Sequence, residues 1–208
     1  MSWYEWLAVI AFLVCIFSCI YHTITLIRLG NPPEYARRAG HIGKALRYSF
    51  TGAMSPRVKE SAYLHMPTYA AGILYHLGTF IAIFFFFLIP FKLALPGYIT
   101  YGMAALFILS GLSGIGILLK RIFNQELRSL SNPDDYISNL LVDLFQFSTA
   151  LVLLQPHHEL IYYLTAALLL LYFPLGKLKH AVYFFAARYH LGFFYGWRNV
   201  WPPKIIKK

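Results

Sequence analysis

The sequence predicts an all-α integral membrane protein, built as a five-transmembrane-helix bundle. Hydrophobic residues make up 59% of the 208 residues and charged residues only 12%, a balance too apolar for an ordinary soluble domain. Five stretches of the chain are each near or above the ~20 residues that a helix needs to cross a bilayer. These stretches lack the alternation of β-barrel strands, so they favour helices.

The five stretches follow one another along the chain, at about 3–27, 64–91, 97–119, 136–156 and 159–187. The first is too long for the apolar region of a signal peptide and has no small-residue cleavage site after it, so we expect it to be a span. Its cysteines, Cys15 and Cys19, make neither a disulfide framework nor a cluster site and are expected to be packing residues. The fifth stretch is long enough to run past the membrane surface.

Positive charge falls almost entirely on one side of the predicted bundle. The segments that follow the first and third stretches, together with the inner end of the fifth stretch and the tail from Lys177 onward, carry 17 of the 18 Lys and Arg residues. Lys92 stands alone on the other side. The positive-inside rule therefore places the N-terminus outside and the C-terminus in the cytoplasm, with the chain crossing the cell's inner (cytoplasmic) membrane. The net charge of +10 is thus a topology signal, and no nucleic-acid partner is expected.

We expect residues 1–208 to form a single membrane domain with two basic cytoplasmic parts. The loop 29–62 interleaves basic residues with Tyr, Phe and Leu. It is either a short amphipathic element on anionic lipid headgroups or a docking surface for a cytoplasmic partner. The tail 188–208 is basic and aromatic, which suits docking of an electron-transfer subunit.

Histidine inside a membrane is costly and usually faces a partner, a cavity or a cofactor. Of the eight histidines, His76 lies well inside the second stretch and His180 near the end of the fifth. Because these stretches cross in opposite directions, the two imidazoles can face each other at similar depth. Two such imidazoles suit the axial positions of a six-coordinate haem iron, which is built for electron transfer. Hydrogen bonds to neighbouring carbonyls or hydroxyls are the alternative.

Three further sets of polar residues could have a functional role or a structural one. His65 and His190 are spaced along their helices so that they could hold a second haem near the inner surface. His158 and Glu159 begin the fifth stretch, either in a solvated loop or as an outer haem ligand and a proton acceptor. Asp143 is a lone carboxylate within the fourth stretch; it is either functional or bound to a neighbouring helix.

Three motifs lie in the part of the chain after residue 60: Leu119-Lys120-Arg121 by the third stretch, Phe173-Pro174 through His180, and Tyr75-His76-Leu77-Gly78. With the five spans, these motifs resemble the gamma subunit of respiratory nitrate reductase. Its relatives include the membrane cytochrome b subunits of heterodisulfide reductase and of sulfate-reducer redox complexes. The motif that ends at His180 carries most of this resemblance.

The resemblance implies a haem b subunit that passes electrons between the quinone pool, for example menaquinone, and a cytoplasmic iron-sulfur or catalytic subunit. It implies His76 and His180 as axial ligands of the haem iron. The family's two outer haem ligands fall here on Phe86 and Tyr162, and neither replaces imidazole. One haem is therefore expected, and a second stays open with His65, His158 and His190 as candidate ligands.

The family pattern also implies quinol oxidation on the outer side, for which His158 and Glu159 are the candidate proton acceptors. Two other functions fit parts of the sequence. The chain could be a haem-free membrane anchor for a redox partner, since the outer ligands are missing. It could be a small transporter that uses Asp143 and the histidines, although no inverted repeat supports this.

Overall fold

The fold of the protein is built from helices. The computed structural model describes residues 1–30, 34–55, 58, 64–93 and 95–203. Within these residues the chain is helical and has no strand. In chain order the helices are α1 (Trp3–Leu29), α2 (Ile42–Phe50), α3 (Met66–Leu88), α4 (Gly97–Phe123), α5 (Gln125–Ser129), α6 (Pro133–Leu154), α7 (Glu159–Tyr172) and α8 (His180–Trp197). Short 3₁₀ turns cover Gly52–Met54, Ile89–Phe91, Pro156–His158 and Lys177–Lys179.

Four helices, α1, α3, α4 and α6, are long and apolar enough to cross a membrane. The segments Pro156–Tyr172 and Lys177–Trp197 meet the same criterion only when they are counted together as one broken span, which gives up to five. The prediction of an all-helical chain with several helices of spanning length is confirmed. Their length and hydropathy indicate a multi-pass membrane protein.

The predicted fifth stretch, 159–187, is not one continuous helix, and on this point the sequence-based prediction was wrong. The helix α7 ends at Tyr172 and α8 begins at His180. The backbone N–H groups of Leu175 and Gly176 both donate to the Tyr172 carbonyl, at 3.0 and 2.9 Å, and so close a turn. Pro174, two residues after Tyr172, has no backbone N–H to donate in a helix, which explains why the helix stops here.

The described chain divides into two compact units. Unit 1 comprises Met1–Ile16 and Pro67–Leu178, and unit 2 comprises Phe17–Met66 and Lys179–Lys208. The core of unit 1 is aromatic and aliphatic, and α6 packs there against α4 and α7. Half of the spanning window of α6 is buried, against 28% or less for the other three helices of spanning length. The helix α6 is therefore the central element of unit 1.

The start of α6 is fixed by charge and capping. Asn132 and Asp135 form a reciprocal capping box, and Pro133 occupies the first turn. The Asp135 carboxylate, which is buried, also pairs with Arg121 at the end of α4 (3.5 Å) and with Lys177 beyond α7. This charge clamp joins the ends of three helices of unit 1. The lysine belongs to the motif that ends at His180.

Unit 2 brings α2 against α8 through small residues. A side chain at Gly192 would collide with Leu46, and one at Gly196 with Ala45. Ser49 adds a hydrogen bond to the Arg188 carbonyl at 2.8 Å. The buried face of α2 is thus occupied by protein. Basic side chains of α2, Lys44 and Arg47, are exposed.

The predicted loop 29–62 therefore contains an ordered helix, although its residues 31–33, 56–57 and 59–63 lie outside the described residues. Its start is tied to the end of α8 by the ion pair of Glu34 with Arg198 at 2.7 Å. The backbone N–H of Ala36 donates to Glu34 and lowers the pKa of that carboxyl below its usual range, and Arg198 acts in the same direction. In the predicted tail 188–208, the helix α8 continues to Trp197, and residues 204–208 lie outside the description.

Candidate functional site

His76 presents one ring nitrogen to the backbone of its own helix. Its Nδ1 lies 2.6 Å from the carbonyl oxygen of Gly72, one turn earlier in α3. A carbonyl can only accept a hydrogen bond, so Nδ1 carries the proton and Nε2 keeps its lone pair. Imidazoles that bind a metal through Nε2 are commonly held in this way.

The surface around His76 is apolar and open. The His76 side chain is exposed in unit 1. Three large apolar side chains of the same helix face, Ile73, Phe80 and Phe84, are also exposed. An imidazole within such an apolar surface needs a neighbouring group that both packs on the surface and interacts with Nε2. A porphyrin meets this need, because its flat face is apolar and its iron binds imidazole.

His180 is the first residue of α8, directly after the 3₁₀ turn Lys177–Lys179, and its side chain is exposed. His76 belongs to unit 1 and His180 to unit 2. The sequence motif, and not its local hydrogen bonding, is what marks His180 as a candidate.

His65 and His190, the candidates for a second haem, differ in their surroundings. His65 is exposed just before α3. His190 is half-buried, and its Nε2 lies 3.3 Å from the carbonyl of Leu26 in α1. Its ring also covers Gly30, where any side chain would collide with the imidazole. His190 therefore has a packing role at the end of α1.

The positions that correspond to the family's outer haem ligands are filled by packed aromatic rings. Phe86 is buried, with its ring centroid 5.9 Å from that of Phe12. Tyr162 is fully buried and stacks on Phe145 at 5.9 Å. Both residues belong to the core of unit 1. Their packing supports the inference that no haem ligand stands at these two positions.

A cavity of about 360 Å³ lies in unit 1, where α3 and α6 end and where α4 and α7 begin. Its apolar walls include Phe85, Leu88 and Val152, and its polar lining comes from Lys92, Thr100 and Glu159. The Lys92 ammonium lies 3.6 Å from the Glu159 carboxylate. The cavity is half-open, mostly apolar and at the small end of the volume range of sites for small organic ligands.

Of the two predicted proton acceptors, only Glu159 is among the residues that line this cavity. The Nε2 of His158 lies 3.0 Å from the side-chain oxygen of Gln155, and its ring lies against His157 with 4.0 Å between centroids. The sequence identified Glu159 and Lys92 as polar groups but gave no sign of the chamber. Its walls come from helix ends that are far apart in the chain.

Asp143 lies in the middle of α6 and is buried in unit 1 with Gln146 and Ser110. Within the described residues no group of three or more His, Cys, Asp or Glu side chains is placed to hold a bare metal ion. A haem needs only two protein ligands, so this does not bear on it.

Comparison of the chain with protein-family models, with curated proteins and with solved structures finds no match. The likeness to the nitrate reductase gamma subunit therefore rests on the motifs quoted from the sequence alone.

Proposed function

We propose that the chain is the haem b subunit of a membrane oxidoreductase complex. It transfers electrons between the quinone pool and a cytoplasmic subunit that supplies the iron-sulfur clusters or the catalytic site. The observation that carries the proposal is the hydrogen bond of His76 Nδ1 to the Gly72 carbonyl at 2.6 Å. It leaves Nε2 as a ligand atom within an exposed apolar stripe.

His76 and His180 are proposed as the two residues that would hold the iron of one haem b. When bound, the haem supplies one-electron transfer between its ferric and ferrous states. His76 orients its ring through Gly72, and the stripe formed by Ile73, Phe80 and Phe84 supports an apolar porphyrin face. The packed rings at Phe86 and Tyr162 favour one haem over two.

The cavity beside Lys92 and Glu159 is the proposed quinone site. Its apolar walls suit a quinone ring, and its volume of about 360 Å³ is large enough for the ring of a quinone headgroup. The Glu159 carboxylate can accept the proton of a quinol hydroxyl. The Lys92 ammonium, 3.6 Å from Glu159, can donate a hydrogen bond to a quinone oxygen.

The proposed topology has five spans, with α7 and α8 together forming the fifth. The N-terminus is then outside, the cavity lies on the outer side and the basic segments lie in the cytoplasm. The exposed Lys44 and Arg47 of α2 would face the cytoplasm in this arrangement. They provide positive charge for an acidic partner subunit or for lipid headgroups.

The haem assignment is tested by a dithionite-reduced minus oxidised spectrum of the purified chain. We expect a b-type α-band that is abolished by His76→Ala and by His180→Ala. His190→Ala is the matched control, because it changes the histidine of the second Tyr-His-Leu-Gly copy, and it should keep the band. A folded wild-type protein without the band would favour the haem-free anchor. A band that survives both ligand variants would exclude this pair.

The quinone assignment is tested separately, by quinol oxidation in a complex that holds haem. We expect Glu159→Gln to lower the rate by about 10²-fold, the usual contribution of a positioned proton acceptor, with the α-band unchanged. His158→Gln is the control, because His158 does not line the cavity. An equal loss in both variants, or in neither, would argue against proton transfer through Glu159.

A further inference from the structure

A buried polar cluster joins three helices in the middle of unit 1, apart from the cavity and from the surface of His76. Asp143 stands at its centre and is 2% exposed. It lies ten residues after Pro133 and eleven before Leu154, so it is close to the centre of α6. This depth is the most apolar part of a spanning helix.

One oxygen of Asp143 is bound and the other is not. The Asn139 side-chain amide, with its nitrogen turned toward the carboxylate, donates to Asp143 Oδ2 at 2.8 Å and to the Gly114 carbonyl at 3.3 Å. Oδ1 lies against Gly114 and beside the Tyr75 ring. Within the described residues Oδ1 is fully buried and receives no hydrogen bond of ordinary length. The Tyr75 hydroxyl is the donor near this carboxylate, but its proton lies toward the Asn139 carbonyl.

The side-chain oxygen of Gln146 is a second buried acceptor without a hydrogen bond in the described part of the cluster. The side-chain nitrogen of Gln146 donates to the Tyr75 carbonyl at 3.2 Å and to Thr79 Oγ1 at 2.7 Å, which fixes its orientation. Its oxygen is buried and has no partner within the described residues. Gln146 follows Asp143 by three positions, so both side chains lie on one face of α6. The cluster thus holds two buried acceptor atoms without a hydrogen bond among the described residues.

The charged and titratable groups around Asp143 offer no cation. From α3 the group that faces it is Tyr75, whose hydroxyl donates to the Asn139 carbonyl at 3.1 Å. From α4 the facing residue is Gly114; Ser110, one turn earlier, lies against Gly78, and neither residue titrates. The helix α7 packs on α6 with Tyr162 and Tyr163 buried.

No ion pair reaches Asp143 within the part of the chain that the structure describes. An ionised carboxylate in such a setting is costly, and a proton on Oδ1 removes the charge and adds the missing donor. The contacts therefore favour a neutral acid, provided that no positive charge is nearby.

Tyr75 links this cluster to His76. The two residues are neighbours in sequence, and their rings are 6.1 Å apart in an edge-to-face arrangement. The other edge of the Tyr75 ring lies at Gly114, next to Asp143. A charge on a metal bound to His76 would therefore act on Asp143 across one aromatic ring. The medium between them has a low dielectric constant, which strengthens this interaction.

We propose that Asp143 is a proton-binding site in the middle of the membrane-spanning part of unit 1, coupled to the redox state of a haem held by His76. This rests on the function proposed above. With a haem bound at His76, loss of one electron to the redox partner would add one positive charge on the His76 side of Tyr75. Asp143 balances that charge by breaking its O–H bond and releasing one proton to water. Gain of an electron reverses both changes, so electron and proton move together.

The test is a reduced-minus-oxidised infrared difference spectrum of the full chain with haem bound. We expect the carbonyl stretch of a protonated carboxyl group on the reduced side, shifted in D₂O and lost in Asp143→Asn. Glu126→Gln, which changes an exposed carboxyl, is the control and should keep the band. The midpoint potential should fall with rising pH in the wild type and lose that dependence in Asp143→Asn.

Asp143→Glu covers the case in which Asp143→Asn does not fold. In protein labelled with ¹³C at the aspartate carboxyls, the band of the wild type should show the isotope shift and the band of Asp143→Glu should not. A normal α-band without an Asp143 signal would overturn the proton site and leave the proposed function standing. Absence of the α-band overturns both, and the visible spectrum alone reports that outcome.

Discussion

At the scale of single residues, the tetrapeptide Tyr75-His76-Leu77-Gly78 combines three roles. Tyr75 fixes α3 to α6 through its hydroxyl, and Gly78 leaves room for Ser110, with which any side chain would collide. His76 turns outward with its Nδ1 on the Gly72 carbonyl. Tyr75 and Gly78 therefore pack inward, and His76 between them is exposed and available to a ligand.

The second copy of the same tetrapeptide, Tyr189-His190-Leu191-Gly192, shares only part of this arrangement. Gly192 again permits close approach, here to Leu46 of α2. His190, however, contacts the carbonyl of Leu26 in α1. The sequence alone could separate the copies by their positions, because only the first lies inside a long apolar run. It could not show what each imidazole contacts.

Substitution of Gly114 tests the packing around Asp143. A methyl group there would collide with Asp143 Oδ1 and with the Tyr75 ring, so we expect Gly114→Ala to destabilise the protein by about 1–3 kcal/mol. Gly116→Ala is the matched control. It lies in the same helix, and nothing stands within 4 Å of the added carbon, so a gain of about 0.5–1 kcal/mol is expected.

Unfolding of both variants in detergent, followed by circular dichroism, measures these changes. Equal stability of the two alanine variants would contradict the close approach at Gly114. Because glycine in an apolar stretch is common, the sequence could suggest close packing at LSGLSGIG but not which glycine makes it.

At the scale of elements, the charge clamp at the start of α6 gives a role to a lysine of the resemblance motif. Lys177 and Arg121 meet at the Asp135 carboxylate, which is 3% exposed. We expect Asp135→Asn to keep the capping box but to lose the charge, at a cost of about 1–3 kcal/mol, in line with hydrogen bonds to charged groups.

The exposed Glu126→Gln serves as the control for Asp135→Asn and should change the free energy of unfolding by less than about 0.5 kcal/mol. The two variants can be compared by denaturant unfolding in detergent at matched pH. A loss of the same size in Glu126→Gln would point to overall charge rather than to the clamp. The sequence showed the acidic start of α6, but the pairing with residues 121 and 177 depends on tertiary packing.

The break between α7 and α8 shows where hydropathy misleads. Residues 159–187 are apolar enough to predict one helix, yet Pro174 and Gly176 end α7 after Tyr172. A hydropathy sum does not register this change in direction, because it weights side chains and not backbone hydrogen bonds. The local signal, Phe-Pro-Leu-Gly, was present in the sequence.

At the scale of the whole molecule, four of the five predicted spans follow from composition, because α1, α3, α4 and α6 begin and end within a few residues of the predicted bounds. The division into two compact units was not foreseen, because hydropathy marks which residues are apolar and not which helices share contacts. The cavity was missed for the same reason.

The remaining question at this scale is whether α7 and α8 cross the membrane as one broken span. Four spans place both ends of the chain on the same side, whereas five place them on opposite sides. The one-sided charge, with 17 of the 18 Lys and Arg residues at or beyond the C-terminal ends of α1, α4 and α7, predicts five.

Reporter fusions decide between these topologies. Alkaline phosphatase fused after Leu93 should be active, because this end of α3 is predicted to lie outside, and the same enzyme fused after Arg128 should be inactive. Green fluorescent protein fused after Trp201 should fluoresce, as a cytoplasmic C-terminus requires. If phosphatase is active and the fluorescent protein dark at Trp201, the chain has four spans. In that case α8, with His180 at its start, lies on the outer side and cannot supply an inner haem ligand.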